Sequence, residues 1–199
     1  MSSLVAANLF AEDAAHEKFL KALISRIARE NNRVVRFSGG CAKGGHGRAI
    51  SELVSCQKTI EYTSIPDLFF VAIDANCKGF DAARKEIQSK IMVKLADKTV
   101  IACPEPHIEK WYMADLDSFC RIVGYRPILG SDKCERDRYK AILSQAVMSG
   151  GHPPTLGGKE FAEDIVKSMD FFRAGKAESS LKHFLDEATA AIRRTSRGI

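Results

Sequence analysis

The chain has 199 residues, of which 45% are hydrophobic and 28% charged, with 30 Lys+Arg against 25 Asp+Glu and a formal charge of +5. This is the composition of an ordinary globular protein, and it argues against disorder. No uninterrupted apolar run approaches the ~20 residues of a membrane span, and the N-terminus has no basic region followed by an apolar stretch and a cleavage site, so a cytoplasmic protein with no membrane partner is expected.

In chain order, Leu4 to Phe10 is a short apolar run that predicts a strand. After Glu12 and Asp13, apolar residues at Phe19, Leu20, Leu23, Ile24 and Ile27 follow the 3.6-residue period of an amphipathic helix. Arg33 to Phe37 reads as a second strand that stops at the glycine cluster Ser38 to Gly47, which is expected to be a mobile loop, and Ile50, Leu53 and Val54 then predict another helix. Leu68 to Ile73 (LFFVAI) is continuously apolar and ends in Asp74, the pattern of a central parallel strand covered on both faces. A helix is predicted over Asp81 to Leu95, and a short strand over Thr99 to Cys103 before Pro104-Glu105-Pro106.

This alternation predicts βαβ units and a Rossmann-like parallel sheet, with sites outside the carboxyl ends of the strands. Residues 1–125 are expected to form that α/β core. Residues 126–199 are expected to form a helical extension packed on it within a single domain. There, Tyr139, Ile142, Leu143 and Val147 mark one helix, and Gly150 to Pro154 breaks the chain. Phe161, Ile165, Val166, Met169 and Phe172 make a second apolar stripe, and Leu181, Phe184, Leu185, Ala188 and Ile192 a third, with Ser179 or Ser180 as its N-cap.

Three acids fall at separate strand ends: Glu12, Asp74 and Glu109. Such a set suits metal-dependent phosphoryl transfer, because hard Mg²⁺ takes a few carboxylate oxygens and keeps water and phosphate in its other positions. The segment from Ala11 to Leu20 resembles the strand-to-helix opening of TOPRIM domains, and Asp74-Ala75-Asn76-Cys77-Lys78-Gly79 resembles their D-x-D-x-x-G signature. Pro106 to Asp115 (PHIEKWYMAD) is similar to the P-x-I-E-x-W-x-x-A-D motif of a family of small TOPRIM-like proteins related to the TOPRIM half of OLD-type nucleases. Gly158 to Ala162 and Ser180 to Phe184 resemble that family's C-terminal helical segments.

The resemblance implies a TOPRIM-type sheet, one or two Mg²⁺ or Mn²⁺ ions, cleavage of DNA or RNA, and a place in anti-phage modules beside an ABC- or AAA-type ATPase. Glu12 would then be general base or metal ligand, Asp74 the principal ligand, and Glu109 a further ligand or orienting acid. The second acid of D-x-D is replaced by Asn76, which offers a carbonyl oxygen but no charge, so weaker Mg²⁺ binding is expected. Asn76 also motivates an alternative, a catalytically weakened scaffold subunit of an ATPase complex. A nucleotide-binding regulatory module using the glycine cluster is a third class. Homo-oligomerisation is compatible with each.

Lys43, His46, Arg48 and Lys78 are the candidate contacts to nucleic-acid phosphates, although the glycine cluster fits neither common phosphate-loop spacing. Trp111 reads as a core anchor and His107 as a satisfied or surface residue; His16 and Glu17 flank the first acid, and Glu17, where the resembled family often has an acid, is explained equally well by a solvated helix face. Asp115 reaches the site only if a helix begins after Glu109. The six cysteines (Cys41, Cys56, Cys77, Cys103, Cys120, Cys134) form no C-x-x-C pair and no zinc-type spacing, so buried or free thiols are expected.

Overall fold

The computed structural model describes residues 3–42, 45–131, 135, 137–153 and 155–195, with the side chains of Cys41 and His46 outside the description. Its centre is a four-stranded parallel sheet in the order β2-β1-β3-β4, formed by β1 (Ser3–Ala11), β2 (Arg33–Cys41), β3 (Leu68–Ala72) and β4 (Thr99–Ala102). Strand order reverses between β1 and β3, so the gap beyond their carboxyl ends is the natural place for a ligand in an open α/β sheet. The register aligns Ala11 with Cys41 on one side and with Ala72 on the other.

Alternation along β3 explains its continuous apolar sequence. Leu68, Phe70 and Ala72 enter one core with Val5, Ala7, Leu9 and the buried stripe of α1 (Ala14–Glu30). Phe69, Val71 and Ile73 enter a second core with Leu53 and Ile60 of α2 (Gly45–Thr63) and Ala83 and Ile87 of α3 (Phe80–Gln88). The sheet is therefore covered on both faces, as the run LFFVAI requires.

Three expected boundaries differ. Strand β2 does not end at Phe37 but continues through Ser38, Gly39 and Gly40 against Asn8, Leu9 and Phe10. Gly39 has φ +94, and a Cβ there would lie 2.5 Å from the Leu9 carbonyl oxygen, so the glycine permits the strand rather than ending it. The helix expected over Asp81 to Leu95 is two helices, α3 and α4 (Val93–Ala96), with a break at residues 89–92 where Gln57 donates to the Lys90 carbonyl and accepts from the Met92 N–H.

The third difference lies in the C-terminal region. After α5 (Ile108–Tyr112), α6 (Leu116–Val123) and α7 (Arg138–Ser149), the Phe161 to Phe172 stripe is divided into α8 (Ala162–Ser168) and α9 (Phe171–Ala177), followed by α10 (Ser179–Arg194). The division occurs at Met169 and Asp170. Arg26 of α1 donates to the carbonyls of Val166 and Met169 and stacks on Phe171, while the Asp170 side chain caps α9. Neither Ser179 nor Ser180 is the N-cap of α10; that position is Glu178. Among the described residues no helix is long and apolar enough to cross a membrane.

Asp115 is structural. It caps α6 at Ser118, accepts the Asp170 N–H at 2.8 Å, and takes a two-pronged contact from Arg173 at 3.1 and 2.9 Å. Burial raises its carboxyl, but the Arg173 guanidinium and the backbone donors outweigh this and hold it well below the usual carboxylate range. Its stabilisation is thus complete above the ordinary aspartate value of about 3.9 and lost as pH falls below it. Asp115→Asn is expected to cost about 2 kcal/mol at pH 7. Urea unfolding at pH 7 and pH 3 checks this, the gap to the native protein narrowing at the lower pH.

Candidate active site at the strand ends

Glu12 lies one residue past β1 and continues its ladder, its N–H donating to the Ala72 carbonyl at 2.8 Å. Asp74 lies two residues past β3, and its own N–H donates to Glu12 Oε2 at 2.9 Å. The two acids predicted from separate strand ends are therefore joined. The segments after β3 and β4 also run side by side, since Ala75 N–H donates to Pro104 O and Asn76 N–H to Pro106 O. This pairing carries His107 and Glu109 toward Asp74.

His16, which in the sequence had no role beyond flanking the first acid, is at the centre of the cluster and 1% exposed. Asp13 is the N-cap of α1 and accepts from the N–H groups of Ala15 and His16. Nδ1 of His16 lies 2.9 Å from Asp13 Oδ1, and Nε2 lies 2.9 Å from Asp74 Oδ1. Ionised carboxylates only accept, so both ring nitrogens donate and the ring is an imidazolium. Burial alone would favour its neutral form, yet the Asp74 charge and the bonds to both carboxylates raise its pKa well above the ordinary histidine value.

Asp74 holds a second histidine. Nδ1 of His107 lies 3.3 Å from Asp74 Oδ2, and that hydrogen bond raises the imidazole's pKa despite partial burial. Nε2 of His107 is buried with no hydrogen-bond partner. Burial pushes Asp74 upward, but the His16 charge and the bonds from His107 and His16 hold it below its usual value. Glu109, in the first turn of α5, behaves oppositely: burial and the neighbouring Asp74 charge raise its carboxyl. Glu12, His16 and Asp74 each present one ligand atom within 4.8 Å of the others, a set able to hold a metal ion.

The remaining predicted contacts are dispersed. Asn76 has φ +50, donates from its side chain to the Asp74 carbonyl at 3.3 Å, and lines a cleft of about 410 Å³ with Gly79, Glu105, Lys110, Glu178 and Ser180. Arg48 is exposed in the first turn of α2, and Lys78 forms an exposed pair with Glu86 at 2.6 Å. Lys43 lies outside the described residues, as does the side chain of His46. Trp111 is fully buried and donates to Ser180 Oγ at 3.0 Å, the core anchor its sequence suggested. Cys77, expected as a thiol, is disulfide-bonded, whereas Cys56, Cys103 and Cys120 are free. Cys103 is buried beside Asp74 and Glu105, and its thiol is pushed up to about 12. No protein-family model matches the sequence, and neither does any curated protein or solved structure.

The imidazolium's stabilisation is complete below the ordinary histidine pKa of about 6.5 and lost as pH rises through the higher folded value. In chelator-treated protein, ¹⁵N NMR of the histidine rings is expected to show His16 protonated on both nitrogens at pH 7. Asp74→Asn is expected to lower that titration, and a neutral His16 ring in the native protein at pH 7 would contradict the assignment.

Proposed function

We propose that the protein is a metal-dependent nuclease that hydrolyses phosphodiester bonds of DNA or RNA at the strand-end cluster. The observation that carries this reading is the pairing of Glu12 and Asp74 at the point where strand order reverses, joined through the Asp74 N–H. The donor set fits a divalent cation, because carboxylate oxygens of Glu12 and Asp74 converge with His16 while the neighbouring His107 retains a buried nitrogen with no partner. Glu12 and Asp74 would hold the ion. Bound there, a divalent cation neutralises phosphate charge and makes water a stronger nucleophile at neutral pH.

The chain's own groups have separable tasks. Glu12, only partly buried, accepts a proton from the attacking water. His107 is fixed by Asp74 through Nδ1 and in turn holds the second oxygen of that carboxylate. Glu109, its carboxyl raised by burial and by the Asp74 charge, adds a further acid beside Asp74. Arg48, Lys78 and the net charge of +5 favour approach of a phosphate backbone. Membership of a TOPRIM-like family, and work as an anti-phage effector with an ABC- or AAA-type ATPase, rest on the sequence resemblance.

Incubation of the purified protein with plasmid and single-stranded DNA and RNA, in Mg²⁺, Mn²⁺ or EDTA, tests the proposal. Cleavage is expected only with metal, and Glu12→Ala or Asp74→Asn should reduce it by about 10²-fold or more. Equal inertness of native protein and variants, alone and with a co-purified partner, would instead favour the weakened scaffold subunit suggested by Asn76.

A further inference from the structure

We infer that His16 is a nitrogen ligand and that the strand-end site takes a first-row transition divalent cation, from Mn²⁺ to Zn²⁺, in preference to Mg²⁺. The inference rests on the metal-dependent reading above and specifies its ion. His16 Nε2 and Asp74 Oδ1 are 2.9 Å apart, and both lie within 4.8 Å of a Glu12 carboxylate oxygen. Two ligands at right angles on a cation with bonds of about 2.1 Å are about 3.0 Å apart, so the pair already has the spacing of adjacent ligands.

The other ring nitrogen supplies independent support. Nδ1 donates to Asp13 Oδ1 at 2.9 Å, and Asp13 is itself held by the N–H groups of Ala15 and His16. A carboxylate that fixes one imidazole nitrogen so that the other addresses a metal is the recurrent outer arrangement of histidine-ligated sites. Binding of a cation would release the Nε2 proton to solvent, while the Nδ1 proton would stay on the ring, held in its hydrogen bond to Asp13. The second oxygen of Asp74 is fixed by His107 at 3.3 Å. A structural clamp needs only Asp13, His16 and Asp74, whereas Glu12 adds a partly exposed third donor. Imidazole gives hard Mg²⁺ little and favours the transition ions.

The test uses the full chain, stripped with chelator and titrated separately with Mn²⁺, Zn²⁺ and Mg²⁺ by calorimetry, with pulsed EPR on the Mn²⁺ form. Expected are a ¹⁴N coupling from a directly bound imidazole, Mn²⁺ and Zn²⁺ affinities at least about tenfold above Mg²⁺, and a loss of about 10- to 100-fold in Mn²⁺ affinity in Asp13→Asn with Mg²⁺ affinity nearly unchanged. Asparagine still caps a helix, so this variant keeps α1 intact, and the ¹⁴N signal is read on the native chain. Bound Mn²⁺ without ¹⁴N coupling, equal affinity for Mg²⁺, equal losses of both ions in Asp13→Asn, or no Mn²⁺ binding would overturn the inference. Nitrogen-coordinated Mn²⁺ without cleavage would leave it standing and remove the nuclease reading, while Mg²⁺-supported cleavage without nitrogen coordination would do the reverse.

Discussion

The His16 ring between Asp13 and Asp74 is the contact on which the strand-end region depends. It ties the first turn of α1 to the segment beyond β3, and the Asp74 N–H closes the same corner onto Glu12. Without the ring, Asp74 would be a buried charge with one histidine contact, and a buried carboxylate lacking its partner costs several kcal/mol. His107 then brings in the segment after β4. Three strand ends and one helix start thus meet at a single residue, Asp74, through its carboxylate and its N–H.

The C-terminal helices hold this arrangement from behind. Helix α5, which carries Glu109, has five residues, too few to be stable alone. Tyr112 donates to the Ala15 carbonyl of α1, Trp111 to Ser180 of α10, and Lys110 pairs with Glu178 at 3.1 Å in a buried setting. Three residues beyond, Asp115 is fixed by Arg173 of α9. The segment resembling the P-x-I-E-x-W-x-x-A-D motif is therefore mostly scaffold: Ile108, Trp111, Ala114 and Asp115 are buried and position the one acid, Glu109, near Asp74.

What the sequence disclosed follows from what local pattern can encode. The run LFFVAI announced a two-sided strand because both of its faces are apolar, and the strand-end acids were legible because they directly follow such runs. The breaks after Gln88 and Ser168 were not, because apolar spacing continues through them and the interruptions are imposed by Gln57 and Arg26 from distant elements. Strand β2 was cut short because glycine usually signals a loop, whereas here Gly39 admits a close approach to Leu9. His16 was missed because its partner Asp74 is 58 residues away. Asp13 followed three residues later by a histidine was the available local signal, since that spacing lets a side chain fold back on its cap.

The charge of the cluster connects its two departures from an all-carboxylate site. Asn76 stands where the resembled signature has an acid, which removes one negative charge, and His16 contributes a positive charge while it holds both protons. Both changes weaken the electrostatic attraction on which a hard, oxygen-seeking cation depends. A nitrogen donor changes this balance for softer ions, because an imidazole that releases its Nε2 proton removes the opposing charge and supplies a ligand in the same event. Asp13 makes that exchange local, since it accepts the Nδ1–H bond and so keeps the second proton on the ring and the ring in place.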